Sequence, residues 1–389
     1  MRAYDRVPPP PRPQKRRRPW LIALPLAIFV VLALLWTGFW FYAAHRAEIE
    51  IARWRDSEAQ QGRVFACGRQ DIDGYPFRIE VRCSDPDVQL RSWQPPVAFL
   101  AKGAKVEVQV YDPTLVIGEF TGPLGISEPN QPPTLLADWS LAQASFRGRP
   151  AAPDRLSVVL DNARLSQSEA GAARPIANAD HIELHGRMAG GTPTANPVIE
   201  LGLRLTRGTS QLLPVLGQPT DGVMAATVYG LKDLTPKPWR AQLREIAQAG
   251  GRIEITQARL TQGDTVATGT GTLSVTPSGH LDGQIRLTVA GLERLIALLG
   301  LDQAVAKYMA QRTGGMSVDK LAGGLDRLMP GLGGMVRGQS GANLAAAGIG
   351  LLGEPAELDG KRAIALPLRF ANGAVFLGPV GIGEVPPLF

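Results

Sequence analysis

The residues best suited to chemistry in this 389-residue chain are His181-Ile182-Glu183-Leu184-His185. Side chains alternate along a strand, so His181, Glu183 and His185 would share one face. Two imidazoles and a carboxylate are metal-ligand types. Ile182 and Leu184 would supply the opposite, apolar face, which also describes an ordinary half-buried strand. The triplet is therefore carried only as a weak metal candidate, and no metal is expected. Asp71, Asp73, Asp85 and Asp87 are calcium-ligand types, but turn and edge positions account for them better. Other catalytic patterns fail on context. Gly348-Ile349-Gly350-Leu351-Leu352-Gly353 fits G-x-G-x-x-G, yet Glu354-Pro355 and a strand follow it, where dinucleotide binding needs a helix. Gly338-Gln339-Ser340-Gly341 lacks the final spacing of a nucleophile elbow. Gly360-Lys361 lacks the first glycine of a P-loop, and Arg362 stands where Ser or Thr is needed. With four histidines and none of these motifs complete, the chain is expected not to be an enzyme and to need no cofactor.

The elements that position these residues begin with a membrane segment. The formal net charge is +6, from 41 Lys+Arg against 35 Asp+Glu. Residues 1–19 hold seven basic side chains and one acid, so the remainder balances at 34 of each. That argues against a nucleic-acid partner, which needs a basic surface on the folded part. Residues 20–42 carry no charge, and at 1.5 Å per residue these 23 residues span roughly 34 Å, enough to cross a bilayer core. Lys15-Arg16-Arg17-Arg18 precede the span, and mixed charges follow it. By the positive-inside rule the proline-rich arm 1–19 is cytoplasmic and the bulk is exported. Trp20 at one end and Trp36, Trp40 and Tyr42 at the other match an aromatic belt. The apolar run is too long for a cleaved signal peptide. The expectation is a single-pass signal anchor at 20–42, in a bacterial inner membrane, with the bulk in the periplasm. Only 8 of the 41 basic residues are Lys, a composition typical of a GC-rich genome.

Two cysteines, Cys67 and Cys83, lie in the exported part. An even count in an oxidising compartment favours a disulfide. Residues 43–61 should continue the membrane helix as a stalk until Gly62. From there the apolar period changes to two. Phe77, Ile79, Val81 and Cys83 form one stripe. Ile199, Leu201, Leu203 and Leu205 form another, and Ile285, Leu287 and Val289 a third. Ile364, Leu366, Leu368 and Phe370 form a fourth. Such alternation predicts half-buried antiparallel strands. Residues 62–389 are thus expected to be a β-rich periplasmic domain. Ala163-Arg164-Leu165-Ser166-Gln167 matches Ala258-Arg259-Leu260-Thr261-Gln262, and Leu203-Arg204-Leu205-Thr206 matches Ile285-Arg286-Leu287-Thr288. These pairs define internal repeats near 156–217 and 252–300, each a meander followed by a short helix, at 211–216 and 292–310. Residues 314–350 read as a Gly/Met-rich insertion. The fold class expected is mainly β: a transmembrane helix, then an extended, curved antiparallel sheet of repeated meanders with a few packed helices.

Ile72-Asp73-Gly74-Tyr75-Pro76-Phe77-Arg78 resembles the G-[FY]-P-[FW]-R signature of DUF2125, a family of proteobacterial envelope proteins. Leu366-Pro367-Leu368-Arg369-Phe370, Leu377-Gly378-Pro379 and Val385-Pro386-Pro387-Leu388-Phe389 resemble its usual ending. The resemblance covers nearly the whole chain and implies location and architecture, not a mechanism. The meanders are more loosely similar to those of AsmA-type envelope proteins, which are taken to carry lipid in a β-groove. Read from the residues, Gly74 permits a tight turn, Pro76 fixes φ, and Phe77 starts an inward-facing stripe on the side of Tyr75, opposite Arg78. The expected function is to bind or relay lipid or another hydrophobic envelope component at the inner membrane. The alternative is a non-catalytic scaffold or assembly factor with an envelope protein partner.

Overall fold

The computed structural model describes residues 20–149, 152–169, 172–235, 237–292, 353–378 and 380–389. The arm 1–19, the insertion 314–350, the glycine motif up to Leu352 and the helix expected over 292–310, past Leu292, lie outside the described residues. Helix α1 runs unbroken over Trp20–Gln60. Its most apolar window has a mean hydropathy of 2.2 and is 6% buried, so it is not a core helix of the domain. It is long and apolar enough to cross a membrane. Past His45 it turns polar, and Arg46 and Arg53 both pair with Glu50, at 2.8 and 3.0 Å. Gly62, at φ +76°, reverses the chain after it.

Nineteen strands follow among the described residues. They are β1 (Arg63–Asp73), β2 (Arg78–Leu90), β3 (Val97–Leu100), β4 (Gly103–Gln109), β5 (Asp112–Thr121), β6 (Leu124–Ser127) and β7 (Leu135–Asp138). Then come β8 (Leu141–Arg149), β9 (Ala152–Glu169), β10 (Ala172–Thr192), β11 (Ala195–Ser210) and β12 (Thr220–Tyr229). Helix α2 (Trp239–Gln248) precedes β13 (Arg252–Gln262), β14 (Thr265–Val275) and β15 (Leu281–Ala290). The last are β16 (Glu354–Leu358), β17 (Lys361–Ala371), β18 (Ala374–Leu377) and β19 (Val380–Glu384). All pairings are antiparallel. β3 and β4 lie along β2 in one register, Asp87 opposite Leu100 and Ser84 opposite Gly103, and so form one bent strand. β7 and β8 do the same along β9, Leu135 opposite Gln167 and Leu141 opposite Asp161, while β6 continues β5 with a one-residue shift of register against β3 and β4. The sheet is therefore one long meander.

Cross-strand partners share a face. Ile182 lies opposite Leu205, Leu203 opposite Met224, and Leu287 between Gly269 and Leu366. The apolar stripes thus fall on one side of the sheet, and the charged residues on the other. Segment 156–217 contains β9, β10 and β11, and 252–300 contains β13, β14 and β15. No helix forms at 211–216, only a 3-10 turn at Pro214–Leu216. Pro214 lacks a backbone donor, and six residues are too few to nucleate a helix alone. α2, unforeseen in the sequence, packs Ile246 against Val228 and Leu231. Its Arg244 lies over the ring of Phe389 at 5.3 Å, and the Leu388 amide donates to the Gly279 carbonyl, which ties the C-terminus down.

A crease crosses the sheet from β1 to β11. Gly68 and Asp85 drop out of the β1–β2 register, and Asp85 adopts φ +50°. The Asp85 amide donates to the Lys102 carbonyl, and the Lys102 amide to that of Thr121. Gly122-Pro123 and Trp139-Ser140 interrupt the next two strands. Asn162, at φ +52°, donates through its side chain to Ser140 Oγ. Arg207, at φ +47°, ends the line, paired with Asp180. Bulged residues bend strands and increase their twist. Aligned on successive strands, they fold the sheet toward its apolar face.

Candidate functional site

The fold at the crease encloses a groove of about 1060 Å³, the upper end of the ~300–1,000 Å³ usual for small-molecule pockets. Its floor is the apolar face: Phe65 and Cys67 of β1, Val81 and Val88 of β2, Phe99, Val106, Phe120 and Leu124 of the next strands, and Val158, Leu160 and Leu165 of β9. Alanines make the room. Ala104, Ala142, Ala144, Ala163 and Ala179 stand on the same face where bulkier side chains would fill the space. One end is walled by Ile51 and Trp54 of α1, the other by Leu213 and by Leu216 of the 3-10 turn. Ile51 and Trp54 lie roughly 14 and 18 Å along the helix beyond Tyr42. Among the few polar groups that reach the groove are Arg55, Asp138 and Arg164. Cys67 and Cys83 are joined in a disulfide and lie on the groove face. The stalk is held along β1 by Trp54 against Phe65, ring centroids 4.6 Å apart, and by hydrogen bonding of Arg55 to Gln70.

The residues of the G-Y-P-F-R motif form the turn between β1 and β2, and this turn clasps α1. The Trp36 indole donates to the Pro76 carbonyl at 2.9 Å, and the Trp40 indole to the Arg78 carbonyl at 2.8 Å. Tyr75 Oη and Thr37 Oγ1 are 2.8 Å apart. Trp40 is 4% exposed and meets the Tyr75 ring edge-on at 5.5 Å. Gly74 has φ +106°, and a Cβ there would sit 2.7 Å from the Arg78 carbonyl oxygen, so only glycine fits. Phe77 does not start the inward stripe expected of it. It sits in the turn, 62% exposed and against Trp36, and the stripe begins at Ile79. The preceding proline ends strand geometry there, because it offers no amide for the ladder. Arg78 leaves the turn toward Glu80 and Glu107, at 3.5 and 3.6 Å.

His181, Glu183 and His185 come together on the polar face. Besides Glu183, their partners are ones the sequence did not reveal, Asp161 and Ser157 of β9. His181 Nδ1 lies 2.5 Å from Asp161 and its Nε2 3.0 Å from Glu183. His185 Nδ1 lies 2.9 Å from Ser157 Oγ and its Nε2 3.6 Å from Glu183. All four imidazole nitrogens are thus engaged in a ladder across β9 and β10. Among the described residues, no three His, Cys, Asp or Glu side chains are placed to share a metal ion. The four aspartates near the disulfide are likewise dispersed: Asp71 pairs with Arg69, Asp73 caps the Gly74 amide, and Asp87 accepts from Gln89.

The carboxylates of Asp161 and then Glu183 raise the His181 pKa above its usual 6.5, since both favour the imidazolium. A raised folded-state pKa contributes stability that is complete below the unfolded value and fades as pH rises through the folded one. His181 therefore titrates above 6.5 in a two-dimensional NMR pH series, and Asp161→Asn brings it down. A titration unmoved by that substitution would contradict the assignment.

No curated protein matches the chain. The family described as an uncharacterized protein conserved in bacteria (DUF2125) matches residues 40–386, from Trp40 of the clasp to the C-terminal tail. The chain belongs to the DUF2125 family.

Proposed function

We propose that this protein binds or relays a lipid or another hydrophobic component of the bacterial envelope, without catalysis. The observation that carries the reading is the groove. It is almost wholly apolar, has about 1060 Å³ of room, and counts three residues of α1, Ile51, Trp54 and Arg55, among its lining. Apolar chains of a lipid gain about 25 cal/mol per Å² on leaving water for such a surface. The few polar side chains, Arg55 and Arg164 among them, suit an anionic headgroup. On this reading α1 is an inner-membrane anchor with a cytoplasmic N-terminus, and it holds the sheet on the periplasmic side. The disulfide fits that compartment.

A photo-crosslinking amino acid at Phe120, a groove residue 41% exposed, tests the reading in living cells. The expected product is the full chain carrying a lipid adduct. Discrete protein adducts with no lipid would favour the rival, a scaffold or assembly factor that holds a protein partner.

A further inference from the structure

The tip of the β1–β2 turn carries exposed aromatic groups without an obvious aqueous role. Tyr75 and Phe77 are 51% and 62% exposed, and Tyr111, at the neighbouring β4–β5 turn, is 67% exposed. The two turns are joined, since the Val110 amide donates to the Phe77 carbonyl at 3.0 Å. The β1–β2 turn lies against helix residues 36–41, and Phe39, Phe41 and Tyr42 of that stretch are also exposed. Trp36 is 16 residues beyond Trp20, roughly 24 Å along the helix axis, near the outer limit of a hydrocarbon core of about 30 Å.

Four of the five carbonyls from Gly74 to Arg78 find donors within the protein. The carbonyls of Gly74, Pro76, Phe77 and Arg78 accept from the Arg78 amide, the Trp36 indole, the Val110 amide and the Trp40 indole. The Gly74 amide donates to Asp73, and the Tyr75 hydroxyl is paired with Thr37. An exposed aqueous turn has no need of this, because water serves its carbonyls. A turn in the bilayer must satisfy them within the protein. The character then changes sharply at Arg78, which opens an ion-paired row of Glu80, Arg82, Glu107 and Lys105.

We infer that the tips of these two turns, Tyr75, Pro76 and Phe77 with Tyr111, are embedded in the headgroup–acyl boundary of the same bilayer that α1 spans. The domain is therefore seated on the membrane by its sheet as well as tethered by its helix. The seat fixes the tilt of the sheet and thereby the height of the groove above the lipid surface. The inference rests on the reading of α1 as a membrane span and not on what the groove holds.

The test uses the full-length chain in liposomes of phosphatidylethanolamine and phosphatidylglycerol. p-Benzoylphenylalanine replaces Leu34, Phe77, Tyr111 or Leu212 in turn, and phospholipid adducts are counted by mass spectrometry after irradiation. Leu34 lies within the span, and Leu212, 67% exposed, lies at the far end of the sheet. Intact disulfide, scored by thiol alkylation, certifies the fold of each variant. The expected result is adducts at Leu34, Phe77 and Tyr111 at about tenfold the level at Leu212. Adducts at Leu34 with none above the Leu212 level at Phe77 and Tyr111 would overturn the seat and leave the anchor standing. No adduct at Leu34 would overturn the anchor, and the seat with it.

Discussion

Ala144→Trp is expected to lower the lipid that co-purifies with the chain by about 5- to 150-fold, because overfilling an occupied site costs about 1–3 kcal/mol. Ala144 sits on β8 in the floor of the groove, opposite Gly118 and Val158. An indole there stands in the space that an acyl chain would take. The groove is open on one side, so the ring enters free volume and does not displace the sheet. Unfolding of the empty protein should therefore change by only roughly 1 kcal/mol. Lipid measured by mass spectrometry after solvent extraction, with chemical unfolding of the same sample, separates the two effects. Lost lipid with preserved stability supports the groove as the binding site. Undiminished lipid in a folded variant would place any bound lipid elsewhere.

The second large effect is expected at the clasp. Trp40→Ala should destabilise the full chain in detergent by about 3–5 kcal/mol, the usual range for deleting a buried tryptophan. Among the residues of α1 whose burial is described, Trp40 is the most buried, and it spans from the helix to the turn through both its ring and its indole nitrogen. Trp40→Phe keeps a ring and leaves the Arg78 carbonyl without that donor, at a cost of about 1–3 kcal/mol. Gly74→Ala should fall in the same range, since it forces a Cβ onto the Arg78 carbonyl at a φ of +106°. The order Trp40→Ala worst, Trp40→Phe intermediate, is read from denaturant midpoints. Equal stability of all three variants and the wild type would mean that helix and sheet are not coupled at the clasp.

Much of the fold was legible in the residue pattern, and the reasons are physical. Period-two stripes report which side chains share a face, and the register puts Ile182, Leu205, Leu287 and Leu366 on the same side. An uncharged run that continues into helix formers until Gly62 reports α1. Two cysteines, an even count in a segment read as exported, report the disulfide. Curvature is another matter. It arises at Asp85, Asn162 and Arg207, non-glycine residues with positive φ that nothing nearby in the sequence distinguishes. The groove was hidden for the same reason: its room comes from alanines, which leave no mark on a hydrophobic pattern. α2 was legible and was missed: Trp239, Leu243, Ile246 and Ala247 recur at helical spacing after Pro238, but over only ten residues between long strands. The clasp was hidden by distance. Its motif read as a strand entry, while its partners Trp36, Thr37 and Trp40 lie about 40 residues upstream, within what reads as an aromatic belt. The histidine triplet was visible, but Asp161 and Ser157, which occupy its nitrogens, belong to another strand.

The most direct measurement of the central claim is the lipid content of the full-length wild-type chain purified from its own membranes. After exchange through a detergent wash that strips loosely held lipid, the account predicts close to one hydrophobic ligand per chain, lost in Ala144→Trp. A wild-type protein that is folded, disulfide-bonded and free of any hydrophobic ligand would contradict it.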